Sequence, residues 1–216
     1  MTDFAELRAQ MVERQIAGRG ISDTALLDAF RAVPRELFVP PEHVSQAYGD
    51  HPLPIGCGQT ISQPYIVALM IEAAAIGPSD RVLEVGAGSG YAAAVIGRLA
   101  AHVVAVERKP ELAAAARDRL ARLAYSNVEI VEGDGSLGWP ARAPFDAVLA
   151  AASGSHVPDA LVDQLAPRGR LVMPVGGQMW TQKLVKVTRL ADGETRRETL
   201  CKVRFVPLIG EQAWSA

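Results

Sequence analysis

Residues 84–90 read EVGAGSG, and they form the strongest local pattern in the chain. They end a short apolar run at residues 81–85 and lead into an alanine-rich run at residues 90–100. An apolar strand, a glycine-rich turn and a helix in this order begin a βαβ unit. Glycine lets the backbone turn tightly and approach a ligand closely. The segment therefore predicts a parallel sheet with a ligand site at the carboxyl end of this strand.

The alternation of strands and helices continues beyond this segment. Further strands are predicted at residues 102–106, 128–131, 145–150 and 169–175, and helices at residues 64–76, 90–100, 110–124 and 158–165. Such alternation indicates a parallel sheet. Two final β-rich runs, at residues 181–190 and 198–208, flank the pair Asp192-Gly193, which is typical of a hairpin. The sheet is therefore expected to end in an antiparallel pair.

The first part of the chain has a different pattern. Helices are predicted at residues 3–18 and 23–32, whereas residues 34–60 are rich in proline and glycine and are expected to be irregular. We expect this part to form a helical cap. An α/β chain with a mostly parallel sheet, a C-terminal antiparallel hairpin and an N-terminal helical cap resembles the Rossmann-like class I methyltransferases that depend on S-adenosylmethionine (SAM).

Acidic residues near the strand ends indicate the ligand. The dinucleotide pattern GxGxxG fails, because the sixth position from Gly86 is Tyr91. Glu84 precedes the first glycine and suits a cationic ligand such as SAM, which carries a sulfonium and an ammonium group. Glu107 ends the second strand, where a carboxylate can accept both ribose hydroxyls, and Asp134 follows the third, near the expected adenine amine. The predicted SAM-binding residues are Glu84, Gly86, Gly88, Gly90, Glu107, Asp134 and Gly135.

Each of these features has a plainer interpretation when it is taken alone. A glycine-rich loop can be an ordinary turn between a strand and a helix, and Glu107 and Asp134 can be solvated strand ends. Because the three features occur in register at three successive strand ends, SAM binding is the favoured interpretation.

The composition excludes several classes of protein. The 216 residues are 49% hydrophobic and 21% charged, and 22 basic against 24 acidic residues give a net charge of −2. A protein that binds duplex nucleic acid is far more basic, so nucleic acid is not expected as the main partner. Two cysteines and four scattered histidines form no metal motif. Without an apolar run of membrane-spanning length or a signal peptide, we expect a soluble, cytoplasmic, monomeric protein with no membrane partner.

The stretch GQTISQP at residues 58–64 resembles a hallmark of the protein-L-isoaspartate O-methyltransferases. Other stretches that resemble this family are PRELFVP at residues 34–40, AYGDHPLP at 47–54, GDGSLGWP at 133–140 and VRFVPL at 203–208. The resemblance covers almost the whole chain. It implies a repair enzyme that transfers a methyl group from SAM to the α-carboxylate of L-isoaspartyl residues in damaged proteins and peptides. The ester then closes to a succinimide.

The resemblance also implies roles for single residues. Ser62 is expected at the active site, near the acceptor carboxylate. The residues expected to contact the substrate beside it are Gln59, Thr60, Ile61 and Val206. A carboxylate has a pKa near ~4 and is already a nucleophile at neutral pH, so the enzyme's main task is positioning.

Ser62 has a second interpretation that does not depend on the family. A serine shortly before Pro64 and an apolar helical run is a good helix N-cap, and local sequence alone favours this role. The two roles can coexist, because the free N–H groups at a helix start also bind anions. The resemblance shifts the preference to the active site.

One departure and several alternatives remain at this point. Residues 150–153 read AAAS where the family often has a threonine, which affects fine substrate preference. The same region offers no amide for an exocyclic amine and so argues against base methylation. A carboxyl methyltransferase for a dedicated peptide and a non-catalytic SAM-binding module are the alternatives to repair.

We expect one domain over residues 1–216, with the cap and acceptor segment at 1–63, the SAM-binding core at 64–180 and the hairpin and tail at 181–216.

Overall fold

A seven-stranded sheet forms the centre of the molecule in the computed structural model, which describes residues 3–177 and 181–215. The strands of the chain are β1 Leu53–Gly56, β2 Gln59–Ile61, β3 Arg81–Val85, β4 His102–Glu107, β5 Val128–Glu132, β6 Phe145–Ala150, β7 Leu165–Val175, β8 Gln182–Arg189 and β9 Thr195–Val203. The order in the large sheet is β5-β4-β3-β6-β7-β8-β9. Strands β3 to β7 pair in parallel, and β8 and β9 pair antiparallel, so the predicted mostly parallel sheet with a terminal hairpin is confirmed.

Six α-helices accompany these strands in the described residues. They are α1 Phe4–Gln10, α2 Thr24–Ala32, α3 Pro64–Ala74, α4 Tyr91–Gly97, α5 Pro110–Arg122 and α6 Asp159–Asp163. Pro64 and Pro110 begin α3 and α5, where the missing N–H of proline costs no hydrogen bond. None of the helices in the described part of the chain is long and apolar enough to cross a membrane.

The N-terminal region departs from the sequence prediction in two places. The helix predicted at residues 3–18 is α-helical only to Gln10 and continues as a π-helix, Met11–Ile16, and a short 3-10 helix, Ala17–Arg19. Residues 34–60 are not irregular throughout: they contain two 3-10 helices and, with Ile61, the β1–β2 hairpin. That hairpin turns through Gly56, Cys57 and Gly58, all with positive φ, and Cys57 has no sequence signal for such a conformation.

Both faces of the sheet are covered, as expected for parallel strands. On one face the N-terminal cap packs into the same hydrophobic cluster as β3 and α4. The rings of Phe30 and Phe38 meet the buried ring of Tyr91 edge-on, with centroids 6.2 and 5.4 Å apart. A second cluster around Phe145 and Leu161 covers the other face. The carboxyl ends of β3, β4 and β6 remain accessible, and the candidate site lies there.

The end of the chain also differs from the prediction. The run predicted at residues 198–208 is a strand only in β9, which starts at Thr195 and ends at Val203. Beyond it the chain crosses back over the parallel strands, and Ser153 N–H donates to Val206 O at 2.8 Å. Residues 209–215, here called the C-terminal tail, continue past this point. Val206 is thereby brought to the carboxyl edge of the sheet.

Candidate active site

The glycine-rich loop after β3 is a tight turn held by main-chain hydrogen bonds. Gly86, Gly88 and Gly90 have φ values of +88°, +53° and +82°, a region that side-chain-bearing residues rarely adopt. The Gly86 N–H donates to Val106 O at 2.8 Å, which ties the loop to β4. A Cβ at Gly90 would lie 3.3 Å from Ala116, so this glycine allows close packing on α5. Gly86 and Gly88 line a cleft, whereas Gly90 lies behind it at the start of α4.

Glu107, the last residue of β4, holds this loop in place through hydrogen bonds. Its Oε2 accepts from Gly88 N–H at 2.8 Å and its Oε1 from Lys109 N–H at 2.9 Å. Glu107 as a whole is only 6% exposed. Each oxygen keeps a free lone pair, so the group can still accept hydrogen bonds from two neighbouring ligand hydroxyls. This placement fits the role predicted for Glu107.

Glu84 lies deeper in the same cleft and is buried. Its Oε2 has no hydrogen-bond partner among the described residues. Burial, reinforced by the charge of Glu107, raises the pKa of Glu84 well above its ordinary value, and an N–H from Ala93 opposes this only in part. A buried carboxylate oxygen without a partner, facing a cleft, is complementary to a cationic group. The observation fits the ammonium end of SAM.

These two carboxylates lie in adjoining parts of the cleft. Thr60, Gly86, Gly88 and Ala151 line both its inner and its outer parts. The inner part contains Glu84 and apolar groups from β2 and α3. The outer part lies between Glu107 and the chain that leads into the C-terminal tail; the residues on that side are Gly135, Val206, Pro207, Leu208 and Ile209.

Asp134 makes contacts within the protein that the sequence pattern did not predict. Its Oδ1 accepts from the N–H and the hydroxyl of Ser136 at 2.9 and 2.7 Å, and its Oδ2 accepts from Glu211 N–H at 2.7 Å. Burial opposes ionisation, but these hydrogen bonds outweigh it and lower the pKa of Asp134. The carboxylate therefore caps a short 3-10 helix and holds the C-terminal tail. The neighbouring Gly135 lines the cleft.

A second opening, here called the acceptor groove, joins the inner cleft. It has a volume of about 540 Å³. Ser62, Thr60, Ala151 and Phe205 line both the inner cleft and the groove. The remaining groove residues are Pro52, Gln63, Ile66, Lys202, Val203, Arg204 and Val206. A ligand in the cleft and a second ligand in the groove would thus meet beside Ser62.

The side chain of Ser62 forms no hydrogen bond with the residues that the structure describes. The residue before α3 is Gln63, and no side chain of the described residues caps this helix, so the N-cap interpretation that the local sequence favours is wrong. The preferred active-site role of Ser62 stays a prediction. The carbonyl of Ser62 instead accepts a hydrogen bond from Arg35 Nη2 at 2.8 Å. The hydroxyl is left free to bind a ligand.

The other residues predicted to bind the substrate lie at different points of the cleft and the groove. Thr60 and Val206 border the acceptor groove. Gln59 borders only the outer cleft, and Ile61 is buried and borders the inner cleft. No sequence signal identifies Arg35 as a residue of the site, although it lies in the PRELFVP stretch. No local pattern distinguishes a buried arginine from an exposed one.

The residues that the structure describes contain no group of three or more histidine, cysteine, aspartate or glutamate side chains that could hold a metal ion.

Ala151 and Ser153, in the segment that departs from the family, have different surroundings. Ala151 faces both the cleft and the groove, whereas Ser153 is buried and its carbonyl accepts from Leu208 N–H and Trp214 Nε1.

Relatives of this chain are numerous and similar over most of their length. A relative from Methylorubrum extorquens (strain PA1), named protein-L-isoaspartate O-methyltransferase, is 58% identical over 207 residues, which are 96% of this chain and 90% of the relative. One from Rhodopseudomonas palustris (strain HaA2), named protein-L-isoaspartate O-methyltransferase 1, is 53% identical over 215 residues, which are 100% of this chain and 88% of the relative.

Solved structures give the same result for the fold. A structure titled protein-L-isoaspartate O-methyltransferase has a TM-score of 0.86 and 29% identity, covering 95% of this chain and 67% of that one. A Plasmodium falciparum structure, titled as a putative enzyme of this kind in complex with S-adenosyl-L-homocysteine, has a TM-score of 0.81 and 26% identity and covers 94% and 98% of the two chains. The predicted class I methyltransferase fold is confirmed. The family model described as protein-L-isoaspartate(D-aspartate) O-methyltransferase matches residues 6–213, and the chain belongs to this family.

Proposed function

We propose that the chain transfers a methyl group from SAM to the α-carboxylate of L-isoaspartyl residues in damaged proteins and peptides. Family membership supports the reaction, and one observation supports the site: the free hydroxyl of Ser62 lies where the cleft and the acceptor groove meet. When bound, SAM supplies a methyl group that is activated by attachment to a positively charged sulfur. The ester product can close to a succinimide, which reopens in part to normal aspartate.

The cleft residues hold the methyl donor. The unpartnered Oε2 of Glu84 would accept from its ammonium group, and the two oxygens of Glu107 would accept from its ribose hydroxyls. Gly86, Gly88 and Gly135 leave the space that the donor needs along the strand ends. For Asp134 we keep the adenine as the predicted contact, made through the lone pair that its protein contacts leave free.

The groove residues position the acceptor. Its carboxylate is ionised at neutral pH and already nucleophilic, so no side chain has to remove a proton. The Ser62 hydroxyl would donate to one carboxylate oxygen, and Thr60 and Val206 would hold the chain on either side. We assign Gln59 and Ile61 to the walls of the adjoining cleft. Aligning the reacting atoms at about 3–3.5 Å is the main catalytic contribution that such a site makes.

Methyl transfer from labelled SAM to paired synthetic peptides would test this proposal. The peptides are identical except for isoaspartate or normal aspartate, and only the isoaspartyl peptide is expected to gain a base-labile methyl group. Ser62→Ala should lower kcat/KM about tenfold to hundredfold, the effect of losing a hydrogen bond to a charged group, and leave SAM affinity unchanged. Ser126→Ala is the control, because this exposed residue precedes β5 and thus lies at the amino edge of the parallel strands, opposite the cleft. Equal transfer to both peptides, or to neither, would refute the proposal.

The remaining expectations about the chain are also proposals. We propose one domain over residues 1–216, because the N-terminal cap shares its hydrophobic cluster with the sheet, and this predicts a single cooperative unfolding transition. We also propose a monomer in the cytoplasm that does not bind nucleic acid. The two free cysteines, Cys57 and Cys201, suit a reducing compartment. Light scattering, cell fractionation and an oligonucleotide-binding assay would test these three points.

A further inference from the structure

We propose that the acceptor groove prefers isoaspartyl sites in acidic segments of polypeptide, and that a cluster of basic side chains at its rim creates this preference. The cluster consists of Lys183, Lys202 and Arg204 and is called the basic rim below. The inference rests on the proposed function, since it adds the charge of the substrate to the reaction stated above.

The β8–β9 hairpin places two of these charges directly opposite each other. Lys183 pairs with Lys202 in the antiparallel register, and both side chains are exposed. Like charges at directly opposite positions destabilise a sheet. Farther along the hairpin, Lys186 pairs with Glu198 and forms an ion pair with it at 3.7 Å. Lys186 of β8 therefore has a compensating partner, whereas Lys183, which lies opposite the groove residue Lys202, does not.

The positive charges of the basic rim are also not neutralised by carboxylates elsewhere in the described part of the chain. None of its three side chains forms an ion pair with a carboxylate in the described part of the chain. Lys202 and Arg204 line the acceptor groove directly, and its other lining residues carry no charged side chain. A groove lined by charges of one sign raises the local concentration of ligands of the opposite sign. The electric potential in the groove thus favours negatively charged segments.

A peptide is the occupant that the remaining features favour. The chain as a whole has a net charge of −2, so its overall charge does not attract acidic segments, and an attraction at the groove has to come from local groups such as the basic rim. The groove leads to the free hydroxyl of Ser62, where a carboxylate has to be placed. Acidic side chains near an isoaspartate can reach the basic rim while the isoaspartyl carboxylate lies beside Ser62. A nucleic acid would bring phosphates to the rim but no acceptor to the serine.

Three isoaspartyl peptides that differ only in their flanking charge would test the proposal. They carry glutamate, glutamine or lysine at the third and fourth positions on both sides of the isoaspartate. At low ionic strength the kcat/KM for the acidic peptide should exceed that for the basic peptide about fivefold to tenfold, and the ratio should fall below about twofold in 0.5 M NaCl because salt screens exposed charges. The neutral peptide should lie between the two.

Variants of the basic rim test whether these residues cause the preference for the acidic peptide. The double variant K202Q/R204Q should reduce the acidic-to-basic ratio to about twofold or less, and Lys202→Glu should reduce it further or invert it. The double variant R196Q/R197Q is the matched control: it removes two positive charges from exposed positions of β9, about 15–20 Å from Lys202, and should keep the preference.

The possible outcomes separate this inference from the proposed function. If no isoaspartyl peptide is methylated, the proposed function fails and the inference with it. If all three peptides are methylated within twofold of one another at low salt, the function stands and the inference is wrong. It is also wrong if the double variant keeps the wild-type ratio, or if a single-stranded oligonucleotide inhibits the reaction at low salt more strongly than a non-isomerised acidic peptide of equal charge.

Discussion

The guanidinium of Arg35 holds the main-chain carbonyl of Ser62, with Arg35 Nη2 2.8 Å from Ser62 O. Arg35 is completely buried, and its Nε donates to Ala47 O at 2.8 Å. The guanidinium carbon lies 4.7 Å from the ring centre of Tyr91. Burial lowers the pKa of Arg35, and the nearby Tyr91 compensates in part. A buried cation that is held by carbonyls and an aromatic ring thus fixes the backbone at the head of the acceptor groove.

We expect Arg35→Lys to impair catalysis more than SAM binding. Lysine cannot donate to Ala47 and Ser62 in the same fixed geometry, so the serine loses its main-chain anchor. Stability should fall by about 2–4 kcal/mol, the cost of breaking buried charge-assisted hydrogen bonds. Among folded molecules kcat should fall about tenfold, with little change in SAM affinity. Denaturant unfolding, SAM titration and steady-state kinetics measure the three effects.

Tyr91→Phe is the control for this prediction. The hydroxyl of Tyr91 is buried and forms no well-aligned hydrogen bond with the described residues, so its removal keeps the ring beside Arg35 and should change stability by less than about 1 kcal/mol. If folded Arg35→Lys retains wild-type kcat and KM, then Arg35 stabilises the fold without positioning Ser62.

Glu84 should make SAM binding depend on pH. Because its pKa is raised, the free protein keeps a proton on this carboxyl at pH values where an ordinary glutamate is ionised. A cationic ligand beside the group favours the ionised form, so binding should release the proton. Affinity for SAM is therefore expected to rise with pH until the pH exceeds the raised pKa of the free protein, and then to level off. Titration calorimetry in buffers of different ionisation enthalpy detects the released proton.

The same shift predicts how the stability of the ligand-free protein varies with pH. Above pH 4.5 the native state holds a proton that the unfolded state has lost. The contribution of Glu84 is thus full below that pH and declines as pH rises toward the raised pKa. Glu84→Gln should remove both the proton release and this decline, whereas Glu111→Gln, at an exposed position of α5, should leave them intact. Proton release that persists in Glu84→Gln would contradict the assignment.

The sequence predicts the parallel core well because its signals are local. Residues 81–85 and 145–150 are apolar runs with clear ends, and the structure has strands at both positions with those bounds. The β1–β2 hairpin was missed because it is very short, contains Pro54, and turns through Cys57 in a conformation that usually requires glycine. The family resemblance predicts that Ser62 lies at the active site, but only the structure shows that its hydroxyl does not cap α3.

The parts of the site that were not predicted depend on contacts between distant residues. Asp134 accepts from Glu211, which lies 77 positions later in the chain. Arg35 reaches Ser62 across 27 positions. Neither contact leaves a periodic or spaced pattern in the sequence, because each depends on how separate segments pack over the sheet.

Asp134→Asn should release the C-terminal tail. Asparagine has only one acceptor oxygen, so it cannot serve both Ser136 and the N–H of Glu211. The amides of Glu211 and Gln212 should exchange hydrogen about tenfold faster or more, which corresponds to losing a hydrogen bond to a charged acceptor. SAM affinity should also fall, since Leu208 leads into the tail and lines the cleft. Hydrogen exchange and SAM titration measure the two effects.

Glu132→Gln is the matched control for the tail. It removes a carboxylate from an exposed position at the end of β5, two residues from Asp134, and should leave exchange and affinity unchanged. Wild-type exchange of the tail amides in Asp134→Asn would mean that other contacts hold the tail.

Gly135 and Val85 should be energetically coupled, because no Cβ fits between them. A Cβ at position 135 would lie 2.5 Å from Cγ1 of Val85, which is buried at the end of β3. Gly135→Ala should therefore cost about 1–3 kcal/mol of stability and weaken SAM binding, since residue 135 lines the cleft.

The double variant V85A/G135A gives the decisive measurement, because Val85→Ala removes the methyl group that the new Cβ would strike. The double variant should lose about 1 kcal/mol or more less stability than the sum of the losses in the two single variants. Gly77→Ala, where a Cβ makes only an ordinary 3.6 Å contact with Asp80, is the control and should change stability little. Denaturant unfolding of all four variants gives the coupling. Additive single effects would show that the loop moves away from β3 to accommodate the methyl group, and in that case SAM affinity should fall in both variants that carry alanine at position 135.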